Sequence, residues 1–364
     1  MLKLKALLIP LVFLFSVHCP AEPLRIGYIG ALSGDAAAIG SEIAKSLEVS
    51  VAALNEIGGI NGRSVELVVD DDGYQISRAL TAYEKMKNSI SSRVIFMSTY
   101  GALFALGKRP EKDGIVIVDT LDCNDDLVKV SAMHTCVASR TESIGENFVR
   151  STRENGGGLV GLLYEEEAWF NFIVSTMRKG LRSDLVEAVA PVQATDYRAE
   201  LTRLKGRNVK HIVFLGNDSM GRAMSQAREL GISAPYYSIA SVMSPGFQKL
   251  AGAALEGTIV SNWYAPRNVH FRYFAGIFQI KHNQPVQLEF VAGPSADAVR
   301  LVADTLSKVL LIEDPPSAVS IRRELPLQLP FEGVSGTIKM DSDGAVRTIL
   351  ETLFRYHDGT LLIS

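Results

Sequence analysis

Residues 23–73 constrain the fold more than any other stretch. They read PLRIGYIGALSGDAAAIGSEIAKSLEVSVAALNEIGGINGRSVELVVDDDG. An apolar run at 24–31 predicts a strand. It passes through a small-residue loop at Ser33-Gly34 into a long amphipathic helix. The helix stops at Gly58-Gly59, a turn follows at Asn61-Gly62, and a second strand at 65–69 ends in Asp70-Asp71-Asp72. Glycine and asparagine fall where the chain must reverse, so the pattern is a β-α-β unit. The loop after its first strand opens at the carboxyl edge of a parallel sheet, where α/β proteins usually hold ligands.

The same alternation continues. A helix at 76–88 precedes a strand at 93–97, and a polar loop at 98–101 leads through a helix to a strand at 114–119. A second block begins with a helix at 143–155. Strands are expected at 159–164, 186–192, 211–215 and 236–239, with loops at 165–170, 216–220 and 240–245 at their ends. Such crossovers imply parallel strands. Helices follow at 272–281 and 294–309. The tail 331–364 reads as antiparallel hairpins with turns at 342–344 and 358–359.

The first residues, MLKLKALLIPLVFLFSVHCPAEP, place Lys3 and Lys5 before a short apolar core and a small-residue exit. This is a signal-peptide pattern, too short to span a bilayer, with the cut expected after Ala21. Cys19 as a lipid-anchor cysteine is the alternative, and the bulk of His18 before it weighs against that. About 340 residues remain, more than one core usually serves, so two domains are expected. With 37 basic and 40 acidic residues and a net charge of −3, no nucleic-acid or anionic-membrane partner is indicated. Cys123 and Cys136 form an even pair in an exported chain, which suggests a disulfide, and a metal site with His134 is its rival. No metal or cofactor spacing is present, no Gly-x-Gly-x-x-Gly among them. Nor is there a Gly-x-Ser-x-Gly nucleophile elbow.

Four motifs carry a family resemblance: Gly30-Ala31-Leu32-Ser33-Gly34, residues 55–63 (NEIGGINGR), Asp71-Asp72, and residues 331–336 (FEGVSG). In this order and spacing the chain resembles the type I periplasmic binding proteins. The branch is that of the leucine/isoleucine/valine-binding and amide-binding proteins, the substrate-binding components of ABC transporters. The resemblance implies an α/β fold of two Rossmann-like lobes with parallel sheets joined by a three-strand hinge. Chain crossings are expected near 138–141, 263–267 and 329–333. Lobe 1 is then residues 22–138 plus 267–330, and lobe 2 residues 139–266 plus 331–364, after a signal peptide at 1–21.

The resemblance also implies a ligand between the lobes. Ser98, Thr99, Tyr100 and Gly101 would hold a ligand carboxylate, and Leu121 and Cys123 would supply the next contacts. Trp169 would close over the ligand, and Asn217 or Asp218 would stand in the following loop. Ser241 falls where the family has an acidic counter-ion to the ligand ammonium, and Phe290 would form an aromatic wall. Ser241 cannot pair a buried ammonium, and an unpaired buried charge is very costly. Asp218 or the loop Glu165–Glu167 could replace it. Otherwise a neutral amide or an organic acid fits better than an ordinary amino acid.

The implied function is a periplasmic, monomeric solute-binding protein that captures a small molecule and delivers it to a membrane permease. A sensor read by a membrane kinase or chemoreceptor is the alternative, and an exported enzyme on the same scaffold is a third reading. Each feature also has a plain structural reading. Asp70–Asp72 reads as a solvated strand end rather than a cation site, Asn217 and Asp218 as turn residues, and Trp169 and Phe290 as core.

Overall fold

The computed structural model describes residues 22–263, 268–341, 345–347 and 351–363. The expected signal peptide at 1–21, the turn at 342–344 and, but for residue 263, the expected crossing near 263–267 lie outside the described residues.

Two sheets organise the chain. The first is built on β1 (Leu24–Gly30), β2 (Val65–Asp71), β3 (Val94–Met97), β4 (Val116–Asp119) and β5 (His134–Ala138), all parallel. Its crossovers are α1 (Ala37–Glu56), α2 (Ile76–Met86), α3 (Tyr100–Leu106), α4 (Arg109–Asp113) and α5 (Leu127–Val130). The second sheet is built on β6 (Val160–Glu165), β7 (Leu185–Ala190), β8 (His211–Leu215), β9 (Tyr236–Ile239) and β10 (Ile259–Trp263), again parallel. Its helices are α6 (Glu142–Glu154), α7 (Ala168–Leu181), α8 (Arg198–Gly206), α9 (Met220–Glu229) and α10 (Pro245–Ala251). The chain then returns to the first lobe through α11 (Val269–His282), α12 (Glu289–Val309) and α13 (Ala318–Glu324).

Parallel strands covered on both faces read as continuous apolar runs, and β3, β4 and β8 are buried at every position. In α1 the spacing of Ile43, Leu47 and Val51 turns one face inward against Val302 and Leu306 of α12. α12 begins at Glu289, before Pro294 rather than at it. Phe290 and Val291 are buried, and that burial extends the helix past a residue that usually opens one.

The tail corrects the expected lobe boundary. β11 (Phe331–Gly333), β12 (Gly336–Met340) and β13 (Val346–Arg347) extend the first sheet, not the second. β13 lies parallel to β5, with Val346 opposite Val137, and Ile338 and Val346 are fully buried in the first core. Only β14 (Glu351–His357) and β15 (Thr360–Ile363) join the second sheet, antiparallel to β10 and to each other. The chain therefore stays with the first sheet through β13 and does not leave it at 329–333. The pattern of a hairpin fixes its own register but not which open sheet edge receives it. The expected turn at Asp358-Gly359 is present, with φ of 44° and 77°, the left-handed pair that a two-residue hairpin demands.

Candidate functional site

The carboxyl ends of the two sheets face each other across a cleft with about 610 Å³ of empty space, part of it open to solvent. From the first lobe come Ala31, Ala36, Ile39 and Gly40 after β1, Tyr74 after β2, Ser98 after β3 and Leu121 after β4. Opposite stand Trp169 and Phe170 after β6, Asn217 after β8 and Ser241 after β9. Ile144 of α6, Ser261 and Asn262 of β10 and Phe290 of α12 complete the wall. Among the described residues no lining side chain is charged; the polar ones are hydroxyls and amides.

Of the three aspartates at the end of β2, two are scaffolding for this wall. Asp71 accepts hydrogen bonds from the Leu32, Ser33 and Gly73 amides and from the Ser33 hydroxyl at 2.6 Å. These bonds, with Arg78, hold its carboxyl well below the usual range and pin the loop after β1. Asp72 accepts the Thr99 hydroxyl at 2.5 Å and tethers the loop after β3. Asp70 pairs with Lys85 at the surface. Tyr28 donates to the Gly40 carbonyl at 3.0 Å. A Cβ on Gly40 would lie 2.0 Å from the Ala31 carbonyl oxygen, so only glycine lets α1 start this close to β1.

Of the eleven residues singled out for ligand contact, six line the cleft: Ser98, Leu121, Trp169, Asn217, Ser241 and Phe290. Five do not. The Thr99 hydroxyl is held by Asp72. Tyr100 is buried in α3 against Phe104 and Phe172, its hydroxyl accepting from Asn124 at 2.6 Å. Gly101 packs on Ile76. Cys123 is bonded to Cys136, with Cα atoms 5.4 Å apart, and both are fully buried beside Ala138 and Ala345. Asp218 faces Ser244, whose hydroxyl donates to it at 2.5 Å at the start of α10. Ser241 donates to the Gly216 carbonyl at 2.9 Å. Among the described residues no group of three His, Cys, Asp or Glu side chains could hold a metal ion.

Sequence reasoning missed Tyr74, Ser261 and Asn262. Tyr74 carries one usable signal: it follows Asp-Asp-Gly at a strand end and adopts φ of 60°, rare for an aromatic residue. Ser261 and Asn262 lie within a strand and give no such signal.

Carboxylates cross the cleft in two places. At the rim, Asp35 of the first lobe meets Ser219 of the second. The Ser219 amide donates to Asp35 at 3.2 Å, and its hydroxyl lies 2.7 Å from Asp35 Oδ2 and also against Glu165 Oε1. Glu165 is fully buried and accepts the Asn217 and Gln193 amides. The Ser219 hydroxyl has one proton, so it can donate to only one of the two carboxyl groups. Burial raises both Asp35 and Glu165 above the usual carboxylate range.

At the base of the cleft, Asp119 caps the turn after β4 by accepting the Leu121 and Asp122 amides. Its Oδ2 and both oxygens of the fully buried Asp122 have no hydrogen-bond partner among the described residues. Burial pushes both carboxyls up, and the Asp119 charge adds to the shift at Asp122. Trp169 Nε1 faces Asp122 and likewise lacks a partner among the described residues. Glu167, raised to about 7 by burial, caps α7 through the Trp169 amide at 3.0 Å.

Two α/β lobes with a shared cleft at their strand ends define a two-lobed binding protein. The family model for periplasmic binding proteins matches residues 23–348, and the chain belongs to that family. The Leu/Ile/Val-binding protein homolog 2 of Brucella abortus is 22% identical over 348 residues, covering 92% of this chain and 91% of that one. Among solved structures, the branched-chain amino acid transporter substrate-binding protein LivJ of Streptococcus pneumoniae, in complex with isoleucine, superposes with a TM-score of 0.79. It is 20% identical, with 94% of this chain and 99% of that chain covered. A solute-binding protein of an ABC transporter from R. palustris, in complex with benzoate, gives a TM-score of 0.79 at 16% identity, with 94% and 95% covered. The type I branch and the two-lobed fold expected from the sequence are those of these relatives.

Proposed function

We propose that this protein is the periplasmic solute-binding component of an ABC importer. It takes a small organic molecule into the cleft and presents the closed form to a membrane permease. The supporting observation is the cleft itself: both lobes contribute wall at their strand ends, so filling it favours closure, and a ligand shifts the population by its differential affinity. The lining suits a ligand with an apolar body and a polar end. Tyr74, Trp169, Phe170, Ile239 and Phe290 offer the apolar wall, and Ser98, Asn217, Ser241 and Asn262 offer hydrogen bonds.

The polar end of the ligand is neutral in this reading. Ser241 is no counter-ion, and the acids that could replace it are engaged elsewhere. Asp218 holds Ser244, Glu165 holds backbone amides and Ser219, and Glu167 caps α7. Among the described residues the lining also holds no cation to pair a ligand anion, and burial raises the nearby Asp72, Asp119 and Asp122 towards their neutral forms. An amide of a branched aliphatic or aromatic acid meets both conditions.

The test is calorimetry and thermal unfolding of refolded, ligand-stripped protein against leucine, leucinamide, benzoate and benzamide. An affinity near micromolar, about −8 kcal/mol, and a rise in Tm are expected for the amides. The compounds should be recovered unchanged, since the role is capture rather than turnover. Tighter binding of leucine or benzoate would replace the ligand class, and no binding by any compound in this or a wider metabolite panel would remove the importer reading.

A further inference from the structure

Asp122 and Trp169 lie on opposite lobes. The indole N–H is a donor and nothing else, and a carboxyl offers an acceptor oxygen in either protonation state. Trp169 is 9% exposed and Asp122 not at all. Neither the Nε1 atom nor either Asp122 oxygen has a hydrogen-bond partner among the described residues, and the indole lies near enough to the carboxyl to favour its ionised form. A buried polar group without a partner is costly, and two complementary ones facing each other can remove both costs with one bond. The neighbours narrow the choice of partner further. Asp119 and Glu167 also bear on Asp122, and both are acids, so the indole is the donor that reaches it from the second lobe.

The placement of the two residues gives the pair a task. The Trp169 ring lines the cleft, while Asp122 follows the lining residue Leu121 and precedes Cys123. The disulfide to Cys136 and the capped turn at Asp119 fix the backbone on both sides of Asp122. On the other lobe, Trp169 sits in the first turn of α7, held by the Glu167 cap. A rigid acceptor thus faces a donor whose ring is part of the binding wall.

We infer that Asp122 is a positioning residue of the ligand site: on full closure it accepts the Trp169 indole N–H and locks the ring across the cleft. Asp122 does not touch the ligand in this account. It sets how long the lid stays down. The inference rests on the proposed capture of a small molecule between the lobes, and it adds a residue whose removal acts through Trp169 alone.

Two indole N–H resonances are expected from the chain's two tryptophans, and Trp169→Phe identifies the one from Trp169. Spectra are recorded without additive, with leucinamide and with benzamide. In at least one sample Asp122→Ala should move the Trp169 resonance and speed its exchange with water about ten-fold, the effect of losing one hydrogen bond. Asp122→Asn keeps a carbonyl acceptor and should retain part of the protection. For whichever probe binds, Asp122→Ala and Trp169→Phe should each raise the off-rate about ten-fold, and the double variant no further. A Trp169 resonance that Asp122→Ala leaves in place in all three samples, or off-rate effects that multiply in the double variant, would overturn the inference. Absence of binding by either probe would count instead against the ligand class, because the resonance is read with or without a probe. Unchanged Tm in the variants separates both outcomes from misfolding.

Discussion

The two places where acids bridge the lobes are built from similar parts and finished differently. At the rim, Asp35 already holds the Ser219 amide and hydroxyl, and Glu165 is satisfied on the far side. At the base, neither the Asp122 oxygens nor the Trp169 indole N–H has a hydrogen-bond partner among the described residues. The rim contact involves a loop residue and a helix start, neither of which lines the cleft itself. The base contact involves the wall itself. If the proposed bond forms, closing the rim and seating the ring are separable events, and the two sites respond to different substitutions.

The largest effect should come from removing the rigid support of the base. Replacing Cys123 and Cys136 by serine opens a link across 13 residues and should cost about 3 kcal/mol of stability, seen as a lowered denaturation midpoint. If binding by the surviving folded protein weakens as well, the base depends on that support. If binding is unchanged, the capped turn at Asp119 suffices. Next in size, Trp169→Ala should weaken binding by about 2 kcal/mol or more if the ring is a central anchor. An unchanged affinity in titration calorimetry would move the ring out of the binding wall and break the comparison.

The rim should show itself through pH. Burial raises both Asp35 and Glu165 in the closed form, while an open cleft returns Asp35 towards its ordinary value. Closing therefore takes up a proton. The stabilisation is complete below the open-state pKa and is lost as pH rises through the raised, closed-state value. The other titratable groups that bear on this triad are Glu167, Asp218 and Tyr197, and none is a cation. Affinity measured from about pH 4 to about pH 8 should fall with rising pH, and Asp35→Asn, which carries its own donor, should flatten the profile. A profile that stays steep in Asp35→Asn would assign the proton elsewhere. The smallest effect is expected at Asp218→Asn. Asp218 faces Ser244 rather than the cleft, so affinity should change by less than about 0.5 kcal/mol. A larger loss would mean that a third acid reaches the ligand.

Sequence pattern revealed the alternating architecture, because buried parallel strands and their crossover helices each leave a periodic trace. Strand-end loops were also legible, and they delivered Ser98, Leu121, Trp169, Asn217 and Ser241 to the cleft. The orientation of the residues beside them was not. Thr99 and Tyr100 are one and two positions from Ser98, yet Asp72 draws the first aside and the opening of α3 turns the second into the core. These outcomes depend on partners from other strands, which local spacing does not encode. Tyr74 and Asn262 reach the cleft for the same tertiary reason. The tail was misplaced because β13 found its partner in β5, some two hundred residues earlier in the chain.

That late pairing has a consequence for how the molecule comes into being. β11, β12 and β13 supply an edge of one lobe, and β14 and β15 supply an edge of the other. Neither half can be completed from its early segments alone, so a chain crossing a membrane stepwise would keep both sheets unsealed until its final thirty or so residues arrive.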